Sequence, residues 1–186
     1  MSTQRGIVEI KSPPQKVLTP SLGHSEILVS LVASPRIVGI GKFAYDTDYS
    51  NIERFAATIP AQSISRDAEQ IVSLDPDLVI VSAFAPVEFI EQLETVGLTV
   101  VQTQFDEAIG SLADSLRLMA YMLGEVEQGE RLVEEVQRRL RFVEETIGTV
   151  PDKDKPGVIM LGYLSKWTGG SGTSNEDIIT RAGGIN

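Results

Sequence analysis

From Leu78 to Val81 every residue is apolar. The run is entered through the turn Asp75-Pro76-Asp77 and preceded by the amphipathic stretch Glu69-Gln-Ile-Val-Ser-Leu. A strand that is apolar at every position is buried on both faces, the condition of a parallel strand with helices above and below it. Two similar runs flank it, Arg36-Ile-Val-Gly-Ile upstream and Leu98-Thr-Val-Val downstream, each separated from it by a helical pattern. Strand and helix alternating at this pitch predict an α/β fold with a parallel sheet and helices on both faces.

Reading outward from this unit, Ile7–Ile10 is expected as a short edge strand closed by Ser12-Pro13-Pro14, and Lys16–Thr19 as a second strand. Ser25 is the expected N-cap of a helix through Ala33. After the strand Arg36–Ile40, residues Gly41–Pro60 form a long polar and aromatic connection without periodicity, the mark of a functional loop. Helix Asp67–Leu74, strand Leu78–Ser82, helix Pro86–Val96 and strand Leu98–Gln102 follow. Ile109, Leu112, Leu116, Met119 and Leu123 then recur at spacings of three and four as one helical stripe that ends at Gly124.

The next helix, Glu125–Ile147, carries Val126, Val133, Val136, Leu140, Val143 and Ile147 on one face. Glu127–Arg131, Glu134–Arg138 and Glu135–Arg139 stand at i, i+4 on its solvated side. Thr149–Gly157 reads as a linker, after which Val158–Leu161 is expected as a strand and Asn175–Arg181 as a helix. The predicted organisation is an α/β lobe over 1–106, a helical segment over 107–148 and the start of a further lobe over 149–186.

Lys and Arg number 16 against 26 Asp and Glu, a net charge of −10, and no basic stripe offsets it. A chain this acidic repels phosphate backbones, which excludes nucleic acid as the expected partner. With no cysteine, disulfides, thiolate metal sites and cysteine nucleophiles are excluded. No apolar run reaches the ~20 residues of a membrane-spanning helix. Met1-Ser-Thr-Gln-Arg-Gly lacks the apolar core of an export signal, so a signal is not expected within this sequence.

Few residues have the chemistry of a site. Gly39-Ile-Gly-Lys-Phe-Ala44 fits the spacing of a dinucleotide loop, and that pattern works only where a helix begins at once, so that its N-terminus holds the pyrophosphate. It supports one alternative reading, a cytoplasmic enzyme domain holding a nucleotide at Gly39 and Gly41. Gly169-Gly-Ser-Gly-Thr-Ser lacks the Lys-Ser/Thr ending of a phosphate loop and reads as a turn. His24, the sole histidine, stands between a strand and a helix; with no second ligand in sight it is expected as a loop residue rather than a metal ligand. No triad or carboxylate pair is present, so no catalytic residue is assigned. The aromatics are concentrated: Phe43, Tyr45 and Tyr49 follow one strand, Phe84 the next, Phe105 the next, and Tyr163 with Trp167 the last. Strand carboxyl ends are where an α/β sheet opens its crevice, so this group is expected at a ligand, while Phe55, Phe89 and Phe142 are expected in the core.

Seven segments, in order, resemble one family: Lys16-Val-Leu-Thr-Pro-Ser-Leu-Gly-His-Ser-Glu-Ile-Leu, Arg36-Ile-Val-Gly-Ile-Gly, Ala68-Glu-Gln-Ile-Val-Ser-Leu-Asp-Pro-Asp-Leu-Val-Ile, Ile90-Glu-Gln-Leu-Glu-Thr-Val-Gly-Leu-Thr-Val-Val, the Leu123-Gly124 break, and the turns Thr168-Gly-Gly-Ser-Gly-Thr and Ala182-Gly-Gly-Ile-Asn. They are similar to the substrate-binding proteins of ABC importers for iron–siderophores, cobalamin and haem, the class whose lobes are joined by one rigid helix. The resemblance spans nearly the whole chain. It departs at Pro60-Ala-Gln-Ser-Ile, which stands where the family has Gly-Gly, and in a second lobe cut off after its first strand and helix.

The resemblance implies a non-catalytic protein of the periplasm or another extracytoplasmic space, membrane-associated if lipid-anchored. It would hold a metal chelate, a ferric siderophore foremost, or cobalamin or haem, and deliver it to an ABC permease. The helix Glu125–Ile147 would be the inter-lobe strut, and Glu69 would pair with permease arginines. Lys42, Phe43, Tyr45, Tyr49, Phe84, Phe105 and Trp167 are the expected ligand contacts. No resident cofactor is implied, and the apolar Val158–Leu161 makes some self-association an expectation.

Overall fold

The computed structural model describes residues 2–3, 6–103, 109–148, 150–161 and 169–186. In chain order its elements are β1 (Ser2–Thr3), β2 (Gly6–Ile7), β3 (Val17–Thr19), α1 (Leu22–Leu31), β4 (Ile37–Gly41), α2 (Glu53–Ala56), β5 (Gln62–Ile64), α3 (Ala68–Ser73), β6 (Leu78–Ser82), α4 (Val87–Thr95), β7 (Val100–Thr103), α5 (Ile109–Leu123), α6 (Val126–Ile147) and α7 (Ser174–Arg181). β1 and β2 form an antiparallel ribbon of their own, so the strand expected at Ile7–Ile10 ends at Ile7 and takes no part in the main sheet.

The main sheet has the order β5-β4-β3-β6-β7, and every ladder in it is parallel. The chain builds outward from β3 through β4 to β5, then returns to lay β6 on the other side of β3. Right-handed crossovers running in opposite directions put their helices on opposite faces. Leu18, Val79 and Val81 pack with Ile71 of α3 and with Phe89, Ile90 and Leu93 of α4. Leu78 and Ile80 alternate to the other face, where α1 packs on β3, β4 and β6, and they too are fully buried. The uniformly apolar run is thus a central strand with no solvent side.

The Asp75-Pro76-Asp77 turn fixes where β6 enters. The Asp77 carboxylate accepts the amides of Gln15 at 2.6 Å and Lys16 at 3.0 Å, and its own N–H donates to the Lys16 carbonyl at 2.9 Å. Asp75 takes the left-handed conformation (φ 49°), which aspartate tolerates. Its carboxylate bonds the Lys16 ammonium at 2.8 Å and is held below the usual carboxylate range by it. A turn and the segment entering β3 are therefore stitched together across sixty residues of sequence.

Local chemistry differs from expectation at α1. The helix starts at Leu22 with Ser21 in the cap position, so Ser25 lies within the first turn rather than before it. Its hydroxyl donates to the Ser21 carbonyl at 2.7 Å and accepts the Gly41 amide at 3.2 Å, pinning the end of β4 to α1. Three helices close on one motif. After α5, the Glu125 amide reaches the Ala120 carbonyl at 2.8 Å and the Gly124 amide reaches that of Tyr121 at 3.3 Å, with Gly124 left-handed at φ 74°. The bonds after α4 and α7 repeat this at Gly97 and Gly183.

Gly124 is constrained twice, because a Cβ there would also meet the Pro13 ring at 2.8 Å. Gly124→Ala is expected to destabilise the protein by about 1–3 kcal/mol through left-handed strain plus overpacking. Urea unfolding should show the midpoint falling with the slope unchanged, and an unchanged midpoint would refute the account.

By contact the chain divides into two compact units, Met1–Phe105 with Leu118–Gly129, and Asp106–Arg117 with Glu130–Asn186. α6 is one unbroken helix of 22 residues. On it Arg138 turns to Glu135 at i, i+3 (2.6 Å), where Arg139 also binds (2.6 Å), instead of to Glu134 as its spacing predicted. One carboxylate serving two guanidiniums lies below its usual range for that reason. Phe142 is 70% exposed and Phe55 43% exposed; of the three phenylalanines expected in the core only Phe89 is buried. In the second unit Arg181 joins Glu144 to Asp177. Val158–Leu161 is not a strand. Just before it Gly157 makes a single parallel bridge to Ile185 and the Val158 amide donates to the Ile185 carbonyl at 2.8 Å, while Ile159 and Leu161 are exposed.

Candidate functional site

A sheet that reverses direction at β3 leaves a crevice outside its carboxyl ends. A groove of about 470 Å³ opens there within the first unit. Four strand ends contribute: Ser21 follows β3, Lys42 and Phe43 follow β4, Ser65 and Arg66 follow β5, and Ser82 closes β6. Because Gly41 pairs with Ile64, the residues that follow them leave the sheet side by side. The Lys42 ammonium sits 5.1 Å from the Phe43 ring centroid, within cation–π range. Tyr49 meets Phe43 edge-on at 5.8 Å and is itself largely exposed.

Of the residues expected at a ligand, Lys42, Phe43 and Tyr49 thus come together. Tyr45 is held differently: its hydroxyl donates to the Ala61 carbonyl at 2.8 Å, tying the loop to the strand before Arg66, and burial pushes its phenol up. Phe84 is 82% exposed on the turn between β6 and α4. Phe105, Tyr163 and Trp167 lie outside the described residues. Sequence reasoning missed Ser21, Ser65 and Arg66. Ser21 stands in no pattern that marks a ligand contact, and the strand that delivers the other two, Gln62–Ile64, lacks an apolar pattern.

His24 is not on a loop. It lies in α1 and is fully buried, with Nδ1 3.0 Å from the Ser21 hydroxyl and Nε2 2.6 Å from that of Thr103. Both ring nitrogens are engaged by protein, so the imidazole has no lone pair turned to the groove. Burial lowers its pKa from 6.5 to about 4. Among the described residues no cluster of three His, Cys, Asp or Glu side chains is placed to hold a metal ion.

The glycines of Gly39-Ile-Gly41 serve packing. β4 runs into a short 3-10 turn, Lys42–Tyr45, not into a helix that would present its N-terminus to a pyrophosphate. A Cβ on Gly41 would lie 2.6 Å from the Pro20 carbonyl oxygen, so glycine is required there by backbone approach. The nucleotide alternative loses its structural condition.

Glu69 stands apart from the groove. It is exposed on α3, whose N-terminus is capped by Asp67 through bonds to the Glu69 and Gln70 amides at 3.0 and 3.2 Å. Together with Glu88 and Glu91 it rims a shallow depression between α3 and α4 floored by Val72 and Val96. No helix among the described residues is long and apolar enough to cross a membrane.

The fold is shared with solved structures of low sequence identity. A possible iron-binding (periplasmic solute-binding) protein from Staphylococcus epidermidis superimposes with a TM-score of 0.77 at 17% identity, over 94% of this chain and 67% of that one. A periplasmic heme binding protein from Pseudomonas aeruginosa gives 0.74 at 23% identity, over 93% and 62%. The siderophore binding protein BauB, solved with two molecules of acinetobactin and ferric iron, gives 0.75 at 18% identity, over 100% and 66%. The chain therefore spans roughly six-tenths to two-thirds of the length of these proteins. No curated protein matches it by sequence. The sequence profile described as periplasmic binding protein matches residues 19–186, nine-tenths of the chain, and the chain belongs to the periplasmic binding protein family.

Proposed function

We propose that this chain is part of the substrate-binding component of an ABC importer, holding a metal chelate or a tetrapyrrole outside the cytoplasm and passing it to a membrane permease without chemical change. The groove at the carboxyl ends of β3, β4, β5 and β6 carries the reading: it has the position, the aromatic wall and the polar groups of a small-molecule site. The family and the fold of the haem- and siderophore-binding relatives support it. We assign ligand contact to Lys42, Phe43 and Arg66, with Tyr49 supporting Phe43. Glu69 is assigned to permease docking.

Affinity in such a site depends on how much ligand surface is desolvated. Titration of a ferric siderophore, haem or cobalamin into this chain is expected to give weak saturation. A version extended to the full length of the family should bind at least ~10-fold more tightly, a difference of ~1.4 kcal/mol. Equilibrium dialysis of both checks this. No binding of any of the three ligands by either version would refute the function.

A further inference from the structure

Resting on the binding function proposed above, we infer that the groove selects an anionic metal chelate whose coordination sphere is already complete, with Lys42 and Arg66 reading its charge. The first observation is a reversal of sign. The chain carries 26 acidic against 16 basic residues, yet among the described residues the only ionisable side chains lining this groove are Lys42 and Arg66. They follow adjacent strands, and neither forms an ion pair among the described residues. The nearest carboxylate in sequence, Asp67, is engaged in capping α3. Two like charges lining one groove repel each other, and an anion bound there relieves the repulsion. The guanidinium of Arg66 suits paired oxygens such as those of carboxylate or catecholate, and Lys42 supplies a point charge.

The second observation concerns coordination. The described groove lining contains no histidine, tyrosine, methionine or carboxylate. The nearby Tyr45 hydroxyl is spent on Ala61, and His24 is buried with both ring nitrogens occupied. Among the described lining residues none is an axial ligand for a metal, so a chelate that brings a complete coordination sphere suits this wall. What the wall offers besides charge is the hydroxyls of Ser21, Ser65 and Ser82 and the Phe43 face, which suit the rim of a chelate and not its metal.

The test compares equilibrium binding of a trianionic ferric tris-catecholate, a neutral ferric tris-hydroxamate of similar size, and haemin to the wild-type chain, to Lys42→Gln/Arg66→Gln and to the charge-keeping Lys42→Arg. Both positions are exposed, and melting curves confirm that the variants fold. The expected result is a preference of ~10-fold or more for the tris-catecholate over the tris-hydroxamate, weakened by salt. The preference should vanish in the double glutamine variant, with tris-catecholate binding falling far more than tris-hydroxamate binding, and persist in Lys42→Arg. Equal binding of the two ferric complexes by the wild type would overturn the charge assignment while leaving the binding function standing. So would a glutamine variant that weakens both complexes alike. Haemin bound with an absorption spectrum of protein-ligated iron, undiminished in the glutamine variant, would overturn the coordination half. Failure of all three ligands to bind either this chain or the version extended to the full length of the family would bring down the proposed function and this inference with it.

Discussion

Between pH 7 and pH 4 the protein is expected to lose about 3 kcal/mol of stability at one side chain, His24. Its pKa falls from 6.5 to about 4 because burial disfavours the charged ring. The imidazole is enclosed between α1 and β7, with the Ser21 and Thr103 hydroxyls on its two nitrogens. The sign follows from which state takes the proton first. As pH drops below 6.5 the unfolded chain binds a proton that the folded chain refuses, so unfolding is favoured increasingly down to about pH 4 and no further below it. Other carboxylates with lowered values, Asp75, Glu130, Glu135 and Asp152, add their own acid sensitivity through exposed ion pairs. The comparison that isolates the histidine is therefore the difference between wild type and His24→Gln. Urea unfolding at pH 7 and pH 4 should show the wild type losing about 3 kcal/mol more than the variant over that interval. Parallel losses would mean that His24 titrates normally and is not sealed in the fold.

The sheet was legible because its central strands are saturated with apolar residues. Leu78–Val81 declares burial on both faces by composition alone, and all four side chains are fully buried. β5 was not legible, and the reason is physical. Gln62 and Ser63 are exposed on an edge strand, where one ladder with β4 suffices and no apolar pattern is needed. Arg66 depends on that strand for its place beside Lys42, so a hidden strand concealed half of the charge in the groove. The misplaced N-cap at Ser25 has a similar origin. Ser21 and Ser25 are equally good caps in isolation, and the choice falls on Ser21 because Ser25 is drawn inward to bond the Gly41 amide. Tertiary demand overrode local preference there. The aromatic cluster could be expected near the strand ends, but only geometry separates Phe43, which lines the groove, from Tyr45, which closes a loop.

Charge reversal at Glu69 is expected to abolish transport while leaving folding and ligand affinity nearly untouched. α3 does not need this carboxylate as its cap, because Asp67 already bonds two of the free amides of its first turn, those of Glu69 and Gln70. What Glu69 contributes to the helix is the interaction of an acidic group with the positive end of a short dipole, about 0.3–1 kcal/mol. Its place in the fold points outward instead. It is exposed and without a partner among the described residues, on a rim that also holds Glu88 and Glu91 above the apolar Val72 and Val96. A rim charge of this kind governs encounter and orientation with a cationic partner far more than it governs folding. The ligand groove lies beyond the carboxyl ends of the strands, lined by other residues. Glu69→Arg in the intact transport system should therefore melt within a few degrees of wild type and bind ligand equally, yet fail to support uptake or to stimulate ATP hydrolysis by the permease. Restoring activity with the opposite reversal, an arginine of the permease replaced by glutamate, would identify the pair directly. Transport that survives Glu69→Arg would reduce Glu69 to a helix-start residue and remove the docking assignment.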